Sequence, residues 1–180
     1  MLLILGSRNE EGRAASRRLL ALGLREIWGL EEMPPVERGP MGKPFFPSMP
    51  HIHFNLSHSG DLALCGVGEH PLGVDVELVR PRREGLARYV LSEEEYAWFT
   101  LQGGDWGSLY TLWTLKEARA KCSGTGLRQA PRTIAVPLLE PGQTGTLDGL
   151  TFRSYAGEGW RAAVCSAGPE PLPEAIQGGM

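Results

Sequence analysis

Apolar and polar positions along the chain follow two rhythms in turn. Residues 2–5 are a continuous apolar run long enough for one short strand. From about Glu10 to Leu30, the spacing of Leu20, Leu24, Ile27 and Trp28 predicts a helix, with Glu10 and Glu11 at its positive end and Arg13 and Arg17 extending the stripe backward. EEMPPVERGPMGKPFFPSMP then holds too many prolines and glycines for regular structure and reads as a long ordered loop or linker. HIHFNLS alternates strictly, with Ile52, Phe54 and Leu56 on one face and His51, His53, Asn55 and Ser57 on the other. The apolar stretches LALCGVG and LGVDVELV predict two more strands. Ser92 and Glu95 form a capping box that opens a second helix, and a third runs from about Leu109 to Lys121, ending at Gly124. Further strands are expected near 133–138, 149–155 and 160–166, ahead of a Pro/Gly-rich tail expected to fray. Helix then strands, twice over, is an α+β pattern, readable as two similar lobes or as a single α+β domain.

The third helix, in LYTLWTLKEARAKCSG, carries a charge in the wrong place. Leu109, Leu112, Trp113 and Ala120 form a stripe, and Lys116 falls among them, with Glu117 and Lys121 at its edge. A buried ammonium costs several kcal/mol, of order 3–5, unless it is paired. Snorkelling, a buried carboxylate or a bound anion would each account for it. Composition sharpens the point, since the chain uses fifteen arginines and only three lysines: Lys43, Lys116 and Lys121. Retention of lysine here suggests sites that need a compact point charge rather than a planar fork.

The remaining composition sets outer bounds. A net charge of −3 excludes bulk attraction to nucleic acid or to a membrane, so any anion site must be local. Cys65, Cys122 and Cys165 are odd in number and far apart, and read as free thiols of a reducing compartment. MLLILGSR lacks a basic segment and a cleavage pattern, so a cytoplasmic protein with no membrane anchor is expected.

Three short stretches carry candidate chemistry. In GVDVE a strand points Asp75 and Glu77 to one face, able to share a hard cation such as Mg²⁺, or simply exposed to water. NLSHSG places Ser57 and His58 next to each other, but their side chains diverge on a strand, and no GxSxG elbow supports a hydrolase. Ser57, His58 and the amides near Gly60 suit an anion clip, and a plain polar turn is an equal reading. GPMGKPFF fails as a phosphate loop because Pro44 stands where Ser or Thr is required, which leaves Lys43 on a stiff turn. Two strand carboxylates, Glu117 and two helix lysines together could hold a polyphosphate on a divalent ion.

These motifs, in this order, resemble the 4′-phosphopantetheinyl transferases of the type that activates peptide synthetases. The resemblance runs from about Leu19 to Ala167, through GKP at 42–44, FNLSHSG at 54–60, GVDVE at 73–77, WTLKEARAK at 113–121, GTGL at 124–127 and the closing WRAAVCSAG. It implies two similar α+β lobes related by a pseudo-twofold axis, at 1–78 and 79–168 with a flexible tail at 169–180, and an active site in the cleft between them. It implies transfer of the phosphopantetheine arm of coenzyme A to a serine of an apo acyl or peptidyl carrier protein, releasing adenosine 3′,5′-bisphosphate. Asp75, Glu77 and Glu117 would hold Mg²⁺, with Mn²⁺ as the other candidate ion, and Glu117 would also be the base. Lys116 and Lys121 would meet the phosphates or the transition state, while Lys43, Ser57 and His58 would hold the adenosine end. Larger members carry a longer basic region ahead of the first helix, and Arg13 and Arg17 are the substitutes expected here. Exposed Arg80, Arg82 and Arg83 would receive the acidic carrier. A monomer is expected. An inactive coenzyme A- or carrier-binding protein, and less readily a Ser57/His58 hydrolase, are the alternatives.

Overall fold

The computed structural model describes residues 1–8, 11–125 and 129–180. The expected helix start at Glu10, and Gly126 and Leu127 of GTGL, lie outside them. In chain order the elements are β1 (Leu2–Ser7), α1 (Gly12–Trp28), β2 (Glu37–Arg38), β3 (Pro44–Phe45), β4 (His53–Ser59), β5 (Leu62–Gly68), β6 (Leu72–Leu78), α2 (Leu86–Val90), α3 (Glu93–Leu101) and α4 (Trp106–Ser123). A 3₁₀ turn (Pro131–Thr133) follows, then β7 (Thr144–Leu147), β8 (Leu150–Gly157), β9 (Trp160–Ser166) and β10 (Gln177–Gly179). The class is mixed α+β.

Two four-stranded sheets dominate, in the orders β10-β1-β5-β4 and β6-β9-β8-β7. The two share a core path, a strand, a long helix and two adjacent strands of which the last lies in the middle, to which the second sheet adds α2 and α3 before its long helix and β7 at its far edge. Thus β5 pairs antiparallel with β1 and β4, and β9 pairs antiparallel with β6 and β8. The alternation read from HIHFNLS is borne out, since Ile52 and Phe54 pack with Leu19, Leu20 and Leu24 of α1. A second buried cluster joins the inner faces of the two sheets through Ile4, Leu62, Leu64, Val74, Val76, Ala162 and Val164. A third joins α4 to the outer face of its sheet and to α2, α3 and the 136–139 segment. No helix among the described residues is long and apolar enough to cross a membrane. Cys65, Cys122 and Cys165 are buried free thiols.

Several expectations need correction. Arg13 and Arg17 are exposed, and Ala15 and Ser16 continue the buried stripe of α1 instead. The Pro/Gly-rich loop contains the β2–β3 ladder, closed where the Gly39 amide donates to the Lys43 carbonyl at 3.0 Å, and it buries Phe46 completely. Residues 134–138 form no strand. Arg119 and Lys116 take the carbonyls of Ala135, Ile134 and Pro131, and a segment bracketed by Pro131 and Pro137 is poorly suited to a ladder. The tail is not wholly frayed, because β10 pairs in parallel with β1. Period-based reading also missed α2 and β7, at five and four residues too short to show a repeat.

Candidate active site

Asp75 is the buried centre of the site. It lies on β6, an edge strand of its sheet, and only 3% of it is exposed. Its Oδ1 accepts the Ser57 hydroxyl at 2.8 Å and the Lys121 ammonium at 2.6 Å. Its Oδ2 is buried with no hydrogen-bond partner among the described residues. Burial outweighs the two donors and raises its pKa to about 6, even with the lysine in contact. Glu77, one strand step on, is less buried and accepts the Ser59 hydroxyl at 2.7 Å.

The opposite wall is α4, which begins at the Asp105 cap, whose carboxylate accepts the Ser108 amide at 2.7 Å, and ends at left-handed Gly124. It can lie directly on β6 because residue 73 is glycine: a Cβ there would collide with the Ala118 carbonyl and the Cys122 amide. Glu117 and Lys121 are four residues apart, so both face β6. Burial first, and then repulsion from Asp75, raise the Glu117 pKa to about 7, against the pull of Lys121. Lys121 also donates to Ser57 Oγ at 3.1 Å and to the Val74 carbonyl at 3.2 Å.

Lys116, expected with Lys121 at the phosphates or the transition state, is directed away from Asp75. Its side chain is fully buried and its ammonium donates to Glu95 Oε1 at 2.7 Å, the Pro131 carbonyl at 3.0 Å and the Ile134 carbonyl at 2.6 Å. The 100° step between neighbouring helix residues turns Lys116 toward the start of α3 while Glu117 faces β6. Of the three accounts of an inward lysine, a buried carboxylate partner is the one found. Glu95 was legible only as a capping-box residue, which it also is, its other oxygen accepting the Ser92 amide at 2.8 Å.

Lys43 is half-buried at the far end of α4. It donates to the Cys122 carbonyl at 2.9 Å and to the Leu72 carbonyl at 3.2 Å, and desolvation lowers its pKa. Ser57 is committed to Asp75 rather than to His58. His58 is exposed and lies on the α1 face of β4, where its Cβ would stand 2.8 Å from a Cβ at Gly12, so no Ser–His couple exists. Arg13, the residue of α1 after Gly12, is exposed. Beyond Glu77 a groove of about 690 Å³ runs between Arg82, Leu86, Tyr89, Tyr110 and Trp113, and Arg82 donates to the Tyr110 hydroxyl at 2.8 Å.

The donor chemistry of Asp75, Glu77 and Glu117 fits a hard cation. All three are oxygen ligands, Asp75 keeps one orphaned buried oxygen, and the carboxylates at 75 and 77 both repel the one at 117. Among the described residues, no three His, Cys, Asp or Glu side chains converge closely enough in this arrangement to ligate an ion. The set therefore fits in kind and would close only by side-chain rotation.

Comparison with known proteins bears on these residues. The family profile of the 4′-phosphopantetheinyl transferase superfamily matches residues 71–165, which include Asp75, Glu77, Glu117 and Lys121. A 4′-phosphopantetheinyl transferase of Bacillus subtilis is 34% identical over 72% of this chain and 61% of its own length. The 4′-phosphopantetheinyl transferase Sfp of Bacillus subtilis strain 168 is 32% identical over 75% of the chain and 63% of its own length. AcpT of Escherichia coli K12, also a 4′-phosphopantetheinyl transferase, is 41% identical over 53% of the chain and 51% of its own length. The chain thus spans less than two thirds of the length of these curated relatives.

Proposed function

Because the chain belongs to the 4′-phosphopantetheinyl transferase superfamily, we propose that it transfers the 4′-phosphopantetheine arm of coenzyme A to a serine of an apo acyl or peptidyl carrier protein, releasing adenosine 3′,5′-bisphosphate. The observation that carries this reading is Glu117. It is a partly buried carboxylate on α4, across from Asp75 and Glu77 and beside Lys121, inside the segment that the family profile matches. Glu117 takes the proton of the carrier serine as that oxygen bonds to the phosphorus bearing the pantetheine arm. The bond from that phosphorus to the adenosine-side oxygen breaks in the same displacement, and Lys121 offsets charge on the departing bisphosphate.

Asp75, Glu77 and Glu117 would hold Mg²⁺ or Mn²⁺, which when bound supplies neutralisation of the pyrophosphate charge. His58, against Gly12 at the start of α1, and Arg13, within that first turn, suit the adenosine-end phosphates, with Lys43 at the end of α4 and Ser57 against Asp75. Lys116 has no part in contacting the coenzyme in this reading. The groove beyond Glu77 has the apolar walls a pantetheine arm needs, Arg82 and Arg83 line it, and with exposed Arg80 they suit an acidic carrier. A two-lobe division with coenzyme A between the lobes is proposed too, with its boundary set ahead of β6 instead of at residue 78, because β6 pairs with β9 of the second sheet. A cytoplasmic monomer is proposed with it.

The test is incubation with coenzyme A, Mg²⁺ and a panel of apo carriers, read by intact mass. Wild-type protein adds one phosphopantetheine to at least one carrier, whereas Asp75→Ala and Glu117→Ala reduce the rate by at least about 100-fold, within the range general acid–base catalysis supplies, and keep the circular dichroism of the fold. Normal modification by both variants would sink the site assignment.

A further inference from the structure

The two sheets meet edge to edge without a backbone ladder. β4 ends one sheet and β6 ends the other. Three β6 amides, Val74, Val76 and Leu78, face β4 and donate to side chains there: Asn55 Oδ1 at 2.9 Å, Ser57 Oγ at 3.3 Å and Ser59 Oγ at 3.2 Å. Acceptors two residues apart on one strand meet amides two residues apart on the other, so the contact repeats like a ladder, with short side chains in place of carbonyls. Two β6 carbonyls are covered as well, Leu72 by Lys43 and Val74 by Lys121. Exposed strand edges invite unwanted pairing, and this one is closed by side chains.

The rungs are not equal. A hydroxyl has one proton to give. Ser57 gives its proton to Asp75 and Ser59 gives its proton to Glu77, at 2.8 and 2.7 Å. Among the described residues, Asn55 takes the Val74 amide and no carboxylate rests on it. A backbone ladder would bring the strands to about 4.8 Å, whereas an interposed side chain holds them further apart and keeps the carboxylate face open.

We propose that Ser59 is a positioning residue: it fixes the carboxylate of Glu77 for the divalent ion while closing the Leu78 rung of a side-chain ladder that joins the two sheets. The ion-holding role of Glu77 rests on the transferase reading above. Groups that orient a metal ligand typically change affinity 10- to 100-fold when removed.

Mn²⁺ binding in the presence of coenzyme A, read by electron paramagnetic resonance, tests this apart from turnover. Ser59→Ala raises the Kd for Mn²⁺ about 10-fold, Ser59→Thr, which keeps the hydroxyl, restores it, and Asn55→Ala lowers the thermal midpoint while leaving the Kd for Mn²⁺ within about twofold, because its rung carries no carboxylate. A folded Ser59→Ala with wild-type Mn²⁺ affinity overturns the positioning role, as does a folded Ser59→Thr that fails to restore it. If the wild type binds no Mn²⁺, the inference falls even if transfer occurs. If it binds Mn²⁺ and Ser59→Ala weakens that binding, but no carrier is modified, the transferase reading fails while the role of Ser59 stands.

Discussion

Helices α1 and α4 are each the long helix between the first strand of a sheet and two later, adjacent strands, yet α1 packs through one face while α4 is packed on several sides and turns Glu117 and Lys121 toward Asp75. Their lengths are 17 and 18 residues, and each ends on a left-handed glycine. α1 buries seven residues along one face and shows Arg13, Arg17 and Leu22 to solvent. α4 buries eleven, with β6 and β9 on one side and α2, α3 and the segment after the 3₁₀ turn on others. A helix with neighbours all round can aim two charges in two fixed directions, Lys116 to Glu95 and Lys121 to Asp75. A helix with one buried face has only one direction in which to hold a group so firmly.

Breaking the inward pair of α4 should have the largest effect. Lys116→Met leaves the Glu95 carboxylate, 5% exposed, without its cation and is expected to cost about 3–5 kcal/mol. The double variant Lys116→Met/Glu95→Gln should recover at least half of that loss, since the uncompensated charge is then gone. Urea unfolding of the wild type, both single variants and the double variant measures the coupling. A single-variant loss below about 1 kcal/mol, the value of an exposed pair, would reduce Lys116 to an ordinary lysine.

The same contrast explains how much could be read from the sequence. Periodic patterns and apolar runs predict β4, β5, β6, β8, β9, α1 and α4, because each of those elements buries a continuous stripe, whereas α3, which buries only Glu95 and Phe99, is legible from its capping box. For α4 the amphipathic reading was too simple, as its polar positions Thr111, Thr114 and Lys116 are buried too. Spacing identifies which residues share a face, but not which neighbour that face meets. Lys116 was therefore legible as an inward lysine, and Glu95, 21 residues away, was not legible as its partner. Asn55 and Ser59 were missed for a related reason. They alternate with Ser57 in the sequence, but their acceptor role exists only because β6 arrives as an edge strand with unpaired amides.

A pair of glycines sharpens the comparison at smaller cost. Gly73 lets the backbone of α4 rest on β6, whereas Gly23 of α1 lies against side chains of β5 and β1, with Val67 Cγ1 2.6 Å from where its Cβ would stand. Backbone cannot yield as a valine methyl can. Gly73→Ala should therefore cost about 3 kcal/mol, toward the upper end for overpacking, and displace Glu117 and Lys121 enough to lower carrier modification. In Gly23→Ala, roughly 1 kcal/mol of helix propensity offsets the contact, and the net change should stay within about 1 kcal/mol. Equal thermal midpoints for the two variants would mean that α4 is no more tightly seated than α1.

The helix ends give the smallest and most selective difference. Gly29 has φ 66° and open space around it, while Gly124 has φ 70° and the Cδ of Lys43 3.3 Å from where a Cβ would be. Alanine at either position should cost about 1–2 kcal/mol, the left-handed penalty for a residue with a Cβ. Only at position 124 does the new methyl press on Lys43, which spans the Cys122 and Leu72 carbonyls. Gly124→Ala should then raise KM for coenzyme A a few-fold, while Gly29→Ala at matched loss of stability leaves KM unchanged. The measurement is melting temperature against KM for both variants. If the two raise KM equally, Lys43 responds to stability alone and the α4 end has no special hold on the coenzyme.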